Sequence, residues 1–476
     1  MRARRAALLL GLCLGGPLGT GCALLAKPAW ELPPPPVRTG PVVDGSSLRR
    51  AELSNGLQLI VFEDARLPHL GLGVAVRRGA ALEANGEAGL ATFTAELMSR
   101  GAGSRRALEL AQVVDDLGAS LDASAGWDSM SVSVSGLSRD ADTLFAVLAD
   151  VVLRPRFEGD EGARVRREIL AALEGQKDNP SALARIAFSR ALYDGHRFGL
   201  PADGSPEAVM KLRAESAREF HRRVFTAGNA ILVATGDVRF DDVLARVEAA
   251  FGVWPRGSAP ELPPPPPNPA PPTRQVIVVD RPDLAQAQIV IGHEGLARSD
   301  PGRMPAILMN QILGGGGFTS RLMARVRADA GLAYGVYSYF GMRRAPGPFQ
   351  VSTSTRVPEA RRTIDIVLAE LERARTRGFS AEELAAVQRL ATGSFVLALE
   401  TSSDVTEALV ELDVQGLPAD SLDTYRARVL ATSLEDVQQA ARERLHPDRA
   451  AIVVVGPAAA LVPALEGLGP VRVEQP

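Results

Sequence analysis

The residues whose types and spacing come nearest to chemistry lie in GLATFTAELMSRGAGSRR, residues 89–106. Leu90, Phe93, Leu97 and Met98 recur at helical spacing, so residues 87–100 are predicted to form a helix with one face in a core. Thr92 and Glu96 then stand one turn apart, with Ala95 just before the second. In the H-x-x-E-H arrangement two histidines at this spacing hold zinc from one side of a helix, and the glutamate between them takes a proton from metal-bound water. Here the three positions carry a hydroxyl, a methyl and a carboxylate, so both nitrogen ligands and the base are missing. Farther on, Glu161 and Glu168 fall two turns apart in EGARVRREIL, where a solvated helix face is the plain reading. Carboxylates alone, Glu96 with Glu161 and Glu168, would suit magnesium or calcium better than zinc.

No other cluster replaces that site. His69, His196, His221, His293 and His446 are the five histidines, and no two have helical ligand spacing. There is no G-x-S-x-G elbow, and the two cysteines, Cys13 and Cys22, lie at the N-terminus, so serine and cysteine nucleophiles have no support. In the second half, Gly314, Gly315, Gly316 and Gly317 lead through Phe318, Thr319 and Ser320 to Arg321, a loop opening onto a helix, and Tyr334 follows in GLAYG. Without a Gly-Lys-Ser/Thr ending this is no phosphate loop, and its plain reading is a turn that lets two helices approach. Arg321 and Tyr334 carry donors suited to a peptide carbonyl; their plain alternatives are an ion-paired surface arginine and a half-buried tyrosine.

The scaffold that must place these residues is large. A chain of 476 residues exceeds what one core supports, and 46% apolar content suffices to bury two. With 53 basic against 56 acidic residues and no basic run past the N-terminus, nucleic acid is not an expected partner. MRARRAALLLGLCLGGPLGTGC, residues 1–22, has the basic start, short apolar segment and small residues of an export signal. Cys22 is the expected lipidation site, which gives membrane anchoring at the periplasmic face of a bacterial envelope, and Ala23 fits outer-membrane sorting; the alternative is a plain secretory signal and a periplasmic protein. Residues 23–45 form a proline-rich tether, and a second proline tract makes 259–273 a linker between domains at 46–258 and 274–476. The two halves repeat one organisation: 212–238 and 430–458 are each an amphipathic helix, a turn and a buried strand. Strands grouped apart from long helical stretches at 138–192 and 357–416 predict an α+β class, two similar domains each with a mainly antiparallel sheet.

In order and spacing, NGLQLIVFED, GLATFTAELMSRG, EGARVRREIL, HRFGLPADGSPEAV and LGGGGFTSRLMARVRADAGLAYGVYS resemble the pitrilysin/insulinase family of inverzincin peptidases, in particular its bacterial, mitochondrial-processing-peptidase-like branch. The resemblance spans nearly all of the mature chain. It implies the processing-peptidase fold, and places Thr92, Ala95 and Glu96 on the lost H-x-x-E-H, with Glu168 on the third zinc ligand and Glu161 on the glutamate before it. It also implies that Arg321 and Tyr334 hold substrate beside a zinc site borne elsewhere, while the loop Gly314–Gly317 helps receive it. The expectation is a non-catalytic subunit with no cofactor of its own. A homologous H-x-x-E-H chain would supply zinc in a heterodimer or heterotetramer acting on unfolded peptides. The alternative is a stand-alone peptide-binding or scaffold protein.

Overall fold

Alternation of apolar and small polar residues draws the strands of this computed structural model, which describes residues 47–264 and 273–476. The expected export signal with Cys22, the tether and the centre of the proline linker lie outside the described residues. In chain order the strands are β1 (Leu48–Glu52), β2 (Gln58–Glu63), β3 (His69–Arg77), β4 (Gly101–Ala102), β5 (Arg105–Arg106), β6 (Ser120–Ala125), β7 (Ser129–Leu137) and β8 (Ala230–Gly236) in the first half. The second half supplies β9 (Gln275–Asp280), β10 (Gln286–Glu294), β11 (Val336–Phe340), β12 (Pro348–Arg356), β13 (Ala451–Gly456) and β14 (Val471–Glu474). The helices are α1 (Leu90–Met98), α2 (Ala107–Asp116), α3 (Ala141–Leu153), α4 (Gly159–Gly175), α5 (Pro180–Leu192), α6 (Pro206–Val209), α7 (Ala214–Val224) and α8 (Phe240–Phe251), then α9 (Arg303–Asn310), α10 (Ala360–Arg377), α11 (Ala381–Leu397), α12 (Ser402–Val414), α13 (Ser421–Ala431), α14 (Leu434–Arg444) and α15 (Ala458–Leu465).

The two six-stranded sheets follow one plan, β6-β7-β3-β8-β2-β1 and β11-β12-β10-β13-β9-β14. Pairing is mainly antiparallel in each, with a parallel β2–β8 pair matched by a parallel β9–β13 pair. The plans part at the last strand: β1 runs antiparallel to β2, whereas β14 runs parallel to β9. In β7 the serines alternate with buried Met130, Val132 and Val134, so this strand turns one side to the core and one outward.

β8 and β13 do not alternate; every residue of AILVATG and of AIVVVG is buried. A strand apolar on both sides needs cover on both faces. One cover is the half's own core, and the other is a helix lent by the opposite half. From α5 and its C-cap, Leu183, Phe188 and Tyr193 pack on Ile277, Val290 and Val453 of the second sheet. From α12, Val405 and Leu409 pack on Ile60, Ala75 and Val233 of the first. Each such Leu or Phe contributes about 1.5–3 kcal/mol by leaving water. Gly292 makes the room for Phe188, because a Cβ there would stand 2.8 Å from the ring. The sequence assigned α5 to its own half and α12 to its own; in space each crosses to the other sheet. Among the described residues no helix is long and apolar enough to cross a membrane.

Candidate functional site

α1 is held from inside. Gly89, at φ +100, turns the chain into the helix, and the Glu83 carboxylate accepts hydrogen bonds from the Gly89 and Ala91 amides at 3.0 and 2.6 Å. These are N-terminal donors that the helix itself leaves unpaired. Arg197 completes the cap, donating to Glu83 Oε2 at 2.8 and 2.6 Å, with both side chains within 3% of full burial. Three further carbonyls, of Leu200, Pro201 and Ala202, receive the remaining guanidinium protons. Leu90, Phe93, Leu97 and Met98 fill the core, as their spacing predicts.

The outward face of α1 meets α4. Thr92, Glu96 and Glu168 line one cleft of about 330 Å³ with Val165, Ile169, Gln176 and Asp203. Ala95 is buried in the core beside them, and Glu161 is not part of the cleft. Arg100 joins the two carboxylates, its guanidinium 3.0 Å from Glu168 and 4.0 Å from Glu96. Arg164 reaches the other Glu168 oxygen at 3.0 Å and lies 3.9 Å from Glu161. Burial holds the Glu96 carboxyl above the usual range; Arg100 opposes this, while Glu168 and Asp122 add to it. Zinc does not fit these residues. A threonine hydroxyl, a methyl and carboxylates already bridged by arginines are the wrong donors, and among the described residues no three His, Cys, Asp or Glu side chains are placed to hold a metal. Sequence reasoning passed over Arg100, although its i,i+4 spacing from Glu96 was readable.

The second half presents the other cluster. α9 runs into a π-helical turn over Gln311–Gly315, and Gly314 packs so tightly that a Cβ would stand 2.9 Å from the Ser338 amide nitrogen. Gly317, at φ +66, then swings the chain out and displays Phe318. Arg321, the arginine expected to hold substrate, lies beside two carboxylates. Arg321 donates to both oxygens of Glu383 at 2.6 and 2.7 Å, lies 3.5 Å from Glu370 and stacks on Phe379. Although burial opposes it, those carboxylates hold the guanidinium above its ordinary pKa.

Arg327, half-buried, is flanked by two exposed rings. Its guanidinium carbon lies 4.7 Å from the ring centres of both Phe318 and Tyr334, which are 72% and 84% exposed. Arg325 pairs with Asp329, but no carboxylate among the described residues pairs with Arg327, and its Nη1 is buried without a hydrogen-bond partner. Nearby, Asn310 donates to the Ser338 carbonyl at 3.0 Å and Met323 sulfur accepts from the Val336 amide at 3.3 Å, capping the outer edge of β11. The equivalent edge strand β6 pairs only with β7 and runs beside α1; among the described residues no side chain bonds its backbone.

Residues 60–203 match the family description "Insulinase (Peptidase family M16)", and residues 211–390 match "Peptidase M16 inactive domain". An uncharacterized zinc protease of Streptomyces coelicolor is 26% identical over 419 residues, 86% of this chain and 90% of that protein. A non-peptidase homolog of Helicobacter pylori is 23% identical over 400 residues, 83% of this chain and 91% of its own. The crystal structure of the peptidase M16 inactive domain from Pseudomonas fluorescens superposes with a TM-score of 0.80 at 27% identity, covering 86% of this chain and 98% of that one.

Proposed function

The chain belongs to peptidase family M16 as a non-catalytic member, and on that premise we propose that it is the substrate-binding subunit of a two-chain zinc metallopeptidase. The observation that carries this is the Phe318–Arg327–Tyr334 stack, a half-buried cation that pairs with no carboxylate among the described residues, held between two solvent-facing rings beside the glycine loop. Guanidinium and phenol donors hold peptide carbonyls, and the rings take up apolar side chains. The unpaired edge of β6 offers an extended peptide main-chain hydrogen bonds. A homologous H-x-x-E-H chain supplies zinc and base, and the pair assembles as a heterodimer or heterotetramer around an unfolded peptide. Lipidation at Cys22 after export keeps the subunit at the periplasmic face of the envelope.

The test is affinity purification of the tagged chain from its native membrane fraction, with a peptidase assay on the eluate with and without chelator. A co-eluting H-x-x-E-H homologue with chelator-sensitive activity is expected. In that pair, Arg327→Ala and Tyr334→Phe should each cut kcat/KM about tenfold, the scale of one lost hydrogen bond to a charged or phenolic group, without dissociating the chains. Undiminished turnover in both variants would remove those residues from the reading. A chain that elutes alone and binds peptides without hydrolysis points to the stand-alone peptide-binding protein.

A further inference from the structure

The hairpins β6–β7 and β11–β12 occupy equivalent edges of the two sheets, and their tips meet. Arg343, from the second tip, inserts its guanidinium among three rings of the first half: 4.2 Å from Phe198, 4.7 Å from Trp127 and 5.5 Å from Tyr193. The side chain is buried, it forms no salt bridge among the described residues, and its Nη1 has no hydrogen-bond partner there. Beside it the Arg344 amide donates to Asp128 Oδ2 at 2.9 Å, and Gln415 donates to the same oxygen at 3.2 Å. The receiving side is strained: Arg78, whose amide donates to the Asp128 carbonyl at 2.8 Å, sits at φ +136 with a full side chain.

Rings attract the cation, while desolving a guanidinium with an unmatched N–H opposes it, and these effects are of similar size. Arg343 therefore adds less to the hold between the halves than the apolar contacts of α5 and α12. We propose that residues 341–347 form a releasable latch: Arg343 seats in the Trp127–Tyr193–Phe198 box to close the seam at this end and withdraws to loosen it. Withdrawal returns the guanidinium to water. It leaves the exchanged helices in place, so the halves flex about them without parting. This inference stands apart from the proposed peptidase role, since it concerns the chain alone.

Hydrogen exchange on the full chain tests it, read at the Arg344 amide and at the Arg298 amide, which donates to the Arg343 carbonyl at 2.7 Å. Arg343→Ala should speed exchange there about tenfold or more while the β8 and β13 amides keep their protection. Arg343→Met fills the box without a charge to desolvate, and should slow exchange at the same amides below the wild-type rate. Trp127 emission should shift red in the Ala variant and not in the Met variant. Unchanged exchange in Arg343→Ala, faster exchange in Arg343→Met, or β13 losing protection together with the tip would each overturn the proposal, the last by making Arg343 an ordinary core residue.

Discussion

α1 and the α9 turn hold comparable places in the two halves, and they have been finished in opposite ways. At α1 every charge is answered from within: Arg100 and Arg164 bridge the carboxylates, and Glu83 with Arg197 caps the helix from the interior. At the α9 turn Arg321 is answered by Glu383 and Glu370, but Phe318 and Tyr334 are turned outward with the half-buried Arg327 between them. Carboxylates that protein cations already neutralise have little left to offer a ligand. A guanidinium left unmatched between exposed rings remains available to something outside the chain.

That contrast is broken most directly at its buried arginine. Arg197→Ala leaves Glu83 charged in the interior and should cost about 3–5 kcal/mol in urea unfolding, whereas Arg321→Ala, at a partly exposed pair, should cost roughly 1.5–3 kcal/mol. Equal losses would mean that the two arginines are buried alike in solution. Acid acts most strongly on each half through one deeply buried histidine, His221 in the first and His293 in the second. Burial lowers the pKa of His221 to about 4, against its bond to the Val152 carbonyl, and that of His293 to about 3, against its bond to the Glu294 carbonyl. Unfolded histidine binds its proton near pH 6.5, so stability is complete above that value and is lost as pH falls. The loss from His221 is finished near pH 4 and amounts to roughly 3 kcal/mol; that from His293 continues toward pH 3. His221→Gln should flatten the urea midpoint between pH 6.5 and 4, and an unaltered slope would show that this imidazole is solvated. The smallest effect belongs to Arg100→Gln. Its carboxylate partners are 45% and 47% exposed, so the change should stay within about 1 kcal/mol. A larger loss would promote the filled site from neutral to structural.

Much of the scaffold was legible because it is written in short-range pattern. Leu90, Phe93, Leu97 and Met98 marked α1; SMSVSVSGL marked a half-solvated strand; the repeat at 212–238 and 430–458 foretold α7–β8 and α14–β13. The chemistry was half legible. Loss of zinc ligands is visible in residue types alone, whereas choosing among Arg321, Arg325 and Arg327 requires knowing which of them finds a carboxylate. Glu370 and Glu383 lie far along the chain from Arg321, and no local spacing reveals that bond. Helix exchange was hidden for the same reason. Amphipathy shows that α5 and α12 have an apolar side, but which sheet receives it depends on contacts between distant segments. Arg343 gave no signal at all, since an arginine in a hairpin tip ordinarily faces water.

The crossing of α5 and α12 makes the proline linker a poor place to divide this protein. Each half expressed alone would carry a helix with no sheet to cover and a sheet missing its lid, and both exposed surfaces are apolar. A single cut in the linker, by contrast, leaves α5 and α12 present to cover both sheets. The chain is thus better described as two complementing fragments that happen to be tied together than as two modules in series. Gene fission at the linker would preserve the fold wherever both pieces are made in one compartment, and duplication of either piece alone would yield material that aggregates.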